Sequence, residues 1–211
     1  MVERPGEAYS YNDFALARYH DVLMDKVYGK HRNEVLRERL GEVLGFEDKY
    51  SFEAFGAKDR PGRIMVSVRD FARFGLMYLR GGRWREKQVL KAELVRVAVS
   101  SPVGAELPLT SGREAAMLAG QRTIGGTRNI TPLGPGWYSF NWWVNGRNRE
   151  GKRLFEELPE GTYVASGHGG KRELYVVPEW DLVVVWNDAS VKDHGGPGVP
   201  GAARLMREAV R

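Results

Sequence analysis

The chain has 211 residues, 42% hydrophobic and 28% charged, with a net charge of +5 and no cysteine. That suits one globular domain of ordinary size, or one with a small appendage, and excludes disulfides, thiolate zinc sites, iron–sulfur clusters and a cysteine nucleophile. No apolar run approaches the ~20 residues of a membrane span, the first six residues do not read as a signal peptide, and basic residues alternate with acids, as in Arg37-Glu38-Arg39, which is the pattern of a solvated surface and not of a nucleic-acid interface.

The chain opens at Pro5-Gly6 and runs straight into a helix, an opening that reads as entry partway into a fold. Ser10 followed by Asp13 predicts the helix start, with the serine hydroxyl capping the third helical amide and the carboxylate reaching back. Tyr11, Phe14, Ala15, Tyr19, Val22, Leu23 and Val27 recur at helical spacing and predict one apolar face, ended by Gly29. A second helix is expected from about Asn33 to Gly45, with Val35, Leu36, Leu40, Val43 and Leu44 inward. Residues 46–63 read as loop. Ser67 and Asp70 repeat the capping pattern and open a third helix through Phe71, Phe74 and Tyr78, closed by Gly81-Gly82. A fourth is expected from about Lys91 to Val99.

Residues 100–136 are rich in Gly, Pro and Thr, and predict a long irregular excursion of the kind that often carries function. Trp137–Val144 is strand-like, and Asn145-Gly146 signals a tight turn. Tyr163–Ser166, Glu173–Val177 and Leu182–Trp186 predict three strands, the last two joined by Pro178-Glu179-Trp180-Asp181. Val199–Arg211 predicts a C-terminal helix. Helices first, then antiparallel strands, then a helix is an α+β order. The division expected is one domain, with a mainly helical part over 1–99, the excursion over 100–136, and strands plus helix over 137–211.

Gly146-Arg147-Asn148-Arg149-Glu150-Gly151-Lys152-Arg153 has the spacing of a phosphate-binding loop up to its last position. Arg153 stands where magnesium needs a hydroxyl, so the segment reads as a charged connection between strands. His20, His31, His168 and His194 form no metal-binding pair. His20 and His31 read as surface or packing residues, and Asp188, Asp193 and His194 as a loop hydrogen-bond network. No metal and no cofactor is expected.

Two segments carry chemistry. In Gly167-His168-Gly169-Gly170-Lys171, before a predicted strand, glycines permit close approach of a substrate and the following amides can donate to a developing oxyanion. The alternative is a glycine turn with one exposed histidine. In Tyr9-Ser10-Tyr11-Asn12-Asp13, Tyr11 at a helix start is placed for a cleft. A phenol with an ordinary pKa of ~10 becomes a base only if cations lower it, and a core tyrosine is the alternative.

Taken in order, these segments resemble the serine β-lactamase and penicillin-binding-protein superfamily, closest to its class C β-lactamase and esterase-like branch. The Pro-Gly…Tyr-Ser-Tyr-Asn-Asp start is similar to the family's Tyr-x-Asn region. Met65–Gly75 with Tyr78-Leu79-Arg80-Gly81-Gly82 resembles the helix that follows. Gly167-His168-Gly169-Gly170 resembles the histidine version of its Lys-Thr-Gly strand motif, and Pro178–Val185 the next hairpin. The resemblance implies a β-lactamase/transpeptidase-like fold and acyl hydrolysis of a small-molecule ester or amide. It implies Tyr11 as general base, His168 beside it, and Asp13, Gly169, Gly170 and Lys171 as substrate-binding or oxyanion groups.

Two departures follow. Asp13 stands where the family commonly has Asn, and a carboxylate cannot donate to a substrate carbonyl unless protonated, which leans towards esters or other acyl groups. The family's nucleophile is the serine of Ser-x-x-Lys, and no serine of this chain has a lysine three residues on. The family's N-terminal part is therefore expected to be missing. The chain is expected either to be inactive alone or to be a non-catalytic binding module derived from the fold. The resemblance further implies that an edge rich in Val183, Val184 and Val185 is left open, with self-association as the consequence.

Overall fold

The computed structural model describes residues 3–4, 6–11, 13–54, 61–100, 102–110, 134–167, 170–187 and 200–210. They form two compact units, one of Met1–Asp70 with Leu109–Pro132, the other of Phe71–Pro108 with Leu133–Arg211.

In the first unit, α1 (Asp13–Val22) runs into a π-helical stretch, Leu23–Tyr28, ended by Gly29 at φ 60°. Helix α2 (Arg32–Leu36), a second π-helical stretch (Arg37–Gly41) and α3 (Glu42–Leu44) end at Gly45, as the glycine stop predicts. His31, read from the sequence as a surface or packing residue, caps α2: its Nδ1 accepts from the Asn33 amide at 3.3 Å. The Ser10 cap does not form. The helix starts at Asp13, so Ser10 lies ahead of the capping position, and its hydroxyl makes no hydrogen bond among the described residues. The expected apolar face is also revised. Tyr19, Val22 and Val27 are more than half exposed, and Met24 is the buried residue. A π turn takes more residues than an α turn, so a 3.6-residue period carried past Leu23 points Val27 the wrong way.

Residues 46–63 are not all loop. Strands β1 (Ser51–Ala54) and β2 (Pro61–Met65) pair antiparallel, and Asn33 Oδ1 accepts from the Phe52 amide, tying α2 to β1. The Asp70 amide donates to Ser67 Oγ at 3.1 Å, so the serine cap of α4 (Val68–Leu79) is present. The Asp70 carboxylate is fully buried. It accepts from the Glu47 and Asp48 amides at 3.1 and 3.0 Å, fastening the preceding loop to the helix start.

The second unit is built on a five-stranded antiparallel sheet whose spatial order is its chain order: β5 (Tyr138–Ser139), β6 (Trp142–Val144), β7 (Tyr163–Gly167), β8 (Arg172–Val177), β9 (Leu182–Trp186). Before it come a small hairpin, β3 (Arg83–Trp84) with β4 (Lys87–Gln88), and α5 (Ala92–Ser100). Phe71, Phe74, Tyr78 and Leu79 of α4 and Ala98 and Val99 of α5 pack on Trp142, Val144, Tyr163, Leu174 and Val176. Gly75 lets the helix sit close, since a Cβ there would lie 2.5 Å from Leu174 Cδ1. On the other parity of the sheet, the Tyr175 ring meets Phe155 and Trp186 at 5.6 and 5.4 Å. Each fully buried side chain of this size contributes ~1.5–3 kcal/mol, so this core holds the unit. Helix α6 (Pro200–Ala209) buries Ala203 and Met206. The architecture is α+β with an open antiparallel sheet. Among the described residues no helix is long and apolar enough to cross a membrane.

Two expectations change in this unit. The strand predicted over Trp137–Val144 is broken at Phe140-Asn141, both at positive φ, into the separate strands β5 and β6. Asn145-Gly146 is not a hairpin turn. Asn145 is fully buried: its amide nitrogen donates to the Phe155, Leu158 and Pro159 carbonyls, and its oxygen accepts from the Phe155 amide. One side chain thereby folds the connection between β6 and β7.

Candidate active-site segments

In the first unit Tyr9, not singled out from the sequence, is the better fixed tyrosine. Its carbonyl accepts from the Thr110 amide at 2.9 Å, and it bridges Leu109 in parallel. Thr110 Oγ1 in turn donates to Glu3 at 2.7 Å, so one end of the irregular excursion lies strand-like beside the tyrosine segment. The Tyr9 ring is buried. Burial first, and the nearby Tyr11 phenol second, push its hydroxyl well above the ordinary tyrosine value. A phenol raised in this way needs a neighbouring cation to act as a base near neutrality. Tyr11 is half-buried on the extended segment before α1, and Asp13 is the first residue of that helix. The signal for Tyr9 was available in the sequence: in an extended segment residues two apart share a side, so the two tyrosines flank Ser10 as a pair.

In the second unit, β7 and β8 pair through Gly167 and Arg172 at the base of the glycine turn. His168 and Gly169 lie outside the described residues. Gly170 is buried with φ 83°, a conformation that excludes a side chain at low cost. Its carbonyl accepts from Trp186 Nε1 at 2.9 Å, which anchors the turn to β9. The Lys171 side chain is exposed. Directly below, Ser166 Oγ donates to Glu173 Oε1 at 2.5 Å, and Glu173 is fully buried. Sequence reading placed Glu173 in a strand but gave it no role. A carboxylate among strand residues that are apolar on both parities was the available signal, because buried charges are kept only when hydrogen-bonded. Tyr11 and Asp13 thus belong to the first unit, Gly170 and Lys171 to the second.

The phosphate-loop look-alike is a charged connection between strands, as its sequence suggests. Arg147 and Arg153 form a bridge, and Asn148 Oδ1 accepts from the Glu150 and Lys152 amides. Every cation on it has an acid within 4 Å: Arg147 with Glu160, Arg149 with Glu106, Lys152 with Glu150, Arg153 with Glu156. Its field is that of paired charges. Among the described residues no group of three or more His, Cys, Asp or Glu is arranged to hold a metal ion. Asp188, Asp193 and His194 lie outside those residues.

No family model matches the sequence, and no curated protein does. Solved structures do. A candidate β-lactamase from Bacteroides dorei DSM 17855 superposes with a TM-score of 0.59 at 17% identity, over 100% of this chain and 60% of that one. A candidate 6-aminohexanoate-dimer hydrolase from Bacillus anthracis gives a TM-score of 0.61 at 19% identity, over 98% of this chain and 44% of that one. This chain therefore spans 44% to 60% of the length of these two neighbours. The likeness at these identities is one of fold: this chain has the mixed helix and open antiparallel-sheet fold of these β-lactamase-like neighbours, the fold class that the ordered motifs led one to expect.

Proposed function

We propose that this chain carries the tyrosine- and histidine-bearing part of a serine acyl hydrolase acting on small esters or amides, and that it is inactive by itself. The observation that supports the reading is the coincidence of the hydrolase fold with an anchored glycine turn at the position where the family's strand motif is expected. In this reading Tyr11, with Tyr9 beside it, shuttles the proton of the nucleophile. His168 is the second catalytic side chain, and Asp13 and the Gly169-Gly170-Lys171 backbone would receive the substrate and its oxyanion.

The nucleophile is the part this chain does not supply, since none of its serines precedes a lysine by three residues. Without it no acyl-enzyme forms. The purified chain is expected to give no burst with a chromogenic ester or with nitrocefin. A burst stoichiometric with protein, lost in a Tyr11→Phe or Tyr9→Phe variant, would overturn the inactivity and identify an unrecognised nucleophile.

A further inference from the structure

We infer that Trp186 is the positioning residue of the proposed oxyanion site: by holding the Gly170 carbonyl it fixes the heading of the Lys171 amide, the donor that a substrate oxyanion would need. The inference rests on the reading of the Lys171 N–H as an oxyanion donor. Trp186 Nε1 donates to the Gly170 carbonyl at 2.9 Å. That carbonyl and the Lys171 N–H are the two ends of one planar trans peptide, so they point to opposite sides of it. A hydrogen bond at one end therefore sets the heading of the other. An indole has one donor and no acceptor, so it grips the carbonyl end and leaves the amide end alone. Among the described residues the Lys171 amide has no hydrogen-bond partner.

The turn needs such a grip. Gly170 sits at φ 83°, and without a Cβ it also tolerates the flipped orientation of the peptide that follows it. The indole that prevents the flip is itself held. Its ring stacks on Tyr175 at 5.4 Å with 27° between the planes, and Tyr175 is fully buried against Phe155. Trp186 also stands opposite Glu173 in the β8–β9 register, and Ser166 Oγ donates to the Glu173 carboxylate. Ser166, Glu173 and Trp186 thus form one row across three adjacent strands, next to the pair that closes the turn. A donor fixed in this way before substrate arrives costs no reorganisation when negative charge develops.

Nuclear magnetic resonance on the full chain tests this. In the wild type the Trp186 indole proton is expected to exchange with solvent at least about tenfold more slowly than a free indole. Trp186→Phe keeps a ring on Tyr175 and deletes the donor. The Lys171 amide is then expected to lose its single orientation, its residual dipolar coupling falling at least about twofold as flipped peptides average in. The melt should stay cooperative and the amides of Leu174–Val177 protected. A merely structural tryptophan would instead lower Tm and leave the Lys171 amide fixed in the folded protein. Should Trp186→Phe not fold, a benzothiophene analogue of tryptophan at position 186, which replaces only the ring N–H by sulfur, decides by the same readout. An indole proton that exchanges like a free one, or a Lys171 amide as fixed without the donor as with it, would overturn the inference. None of these readouts uses turnover, so the turn alone decides the positioning role, and substrate chemistry decides the hydrolase reading separately.

Discussion

Replacing Asn145 with alanine removes the side chain that organises the connection between β6 and β7. Its amide group has two hydrogens and three carbonyls within 2.9 to 3.1 Å, so at least one hydrogen is shared, and its oxygen takes the Phe155 amide at 2.7 Å. Truncation strands a buried N–H, at about 1–3 kcal/mol, and weakens carbonyls that retain a second lone pair and so cost less. The vacated volume adds a smaller amount. The expected total is about 3–5 kcal/mol, a large share of the ~5–15 kcal/mol typical of a folded domain. For a chain of this size that lowers Tm by roughly 6–20 °C. Asn145→Asp keeps the shape and the acceptor but turns a carboxylate towards three carbonyls, so at neutral pH it should be no better than alanine, and it should recover as acid protonates it. Urea unfolding followed by tryptophan fluorescence measures both, with Trp137 bonded to the same connection through Gly146 and Lys152. A loss under about 1 kcal/mol for alanine, or wild-type stability for Asn145→Asp at pH 7, would refute the staple.

Two further outcomes are expected. The His20 ring is packed against Phe52 at 4.8 Å, with neither nitrogen hydrogen-bonded among the described residues, and burial, then Arg32, lowers its pKa below 6.5. The unfolded chain therefore takes up the proton first, so stability is full above pH 6.5 and falls as pH drops through that value towards the folded pKa. His20→Leu should flatten that slope between pH 7 and 5, and an unchanged slope would remove His20 from the account. At Gly82, φ is 83° and a Cβ would lie 2.2 Å from the Leu90 carbonyl oxygen, whereas at Gly45 φ is 66° with nothing within 4 Å. Gly45→Ala should thus cost only the ~1–2 kcal/mol of the left-handed conformation and Gly82→Ala clearly more, since backbone must move. Equal melting shifts would contradict the clash.

The sequence made the helix ends and the last three strands readable because each is signalled locally. Gly29, Gly45 and Gly81-Gly82 stop helices by conformation, and the Val-rich runs of β8 and β9 flank a turn with its own chemistry. What stayed hidden depends on partners distant in sequence. The β1–β2 hairpin is specified by pairing and by Asn33, 19 residues before Phe52. Asn145 looks like a turn residue because asparagine favours turns, and only its burial turns it into a staple. Of the candidate site, the Gly170 turn, the Tyr9–Tyr11 spacing and the strand place of Glu173 were legible locally, while the burial of Tyr9 beside Leu109 and the Ser166 hydroxyl on Glu173 were not, since both depend on which strands come together.

The chain-order sheet has a kinetic consequence. Each strand from β5 to β9 pairs with its immediate successor, so no strand waits for a remote one and the loops to be closed are short, apart from the connection gathered by Asn145. Such a meander has low contact order and can assemble in the order of synthesis, β5–β6 first and the β8–β9 hairpin soon after it emerges. Within the sheet, that one connection carries the largest loop-closure cost.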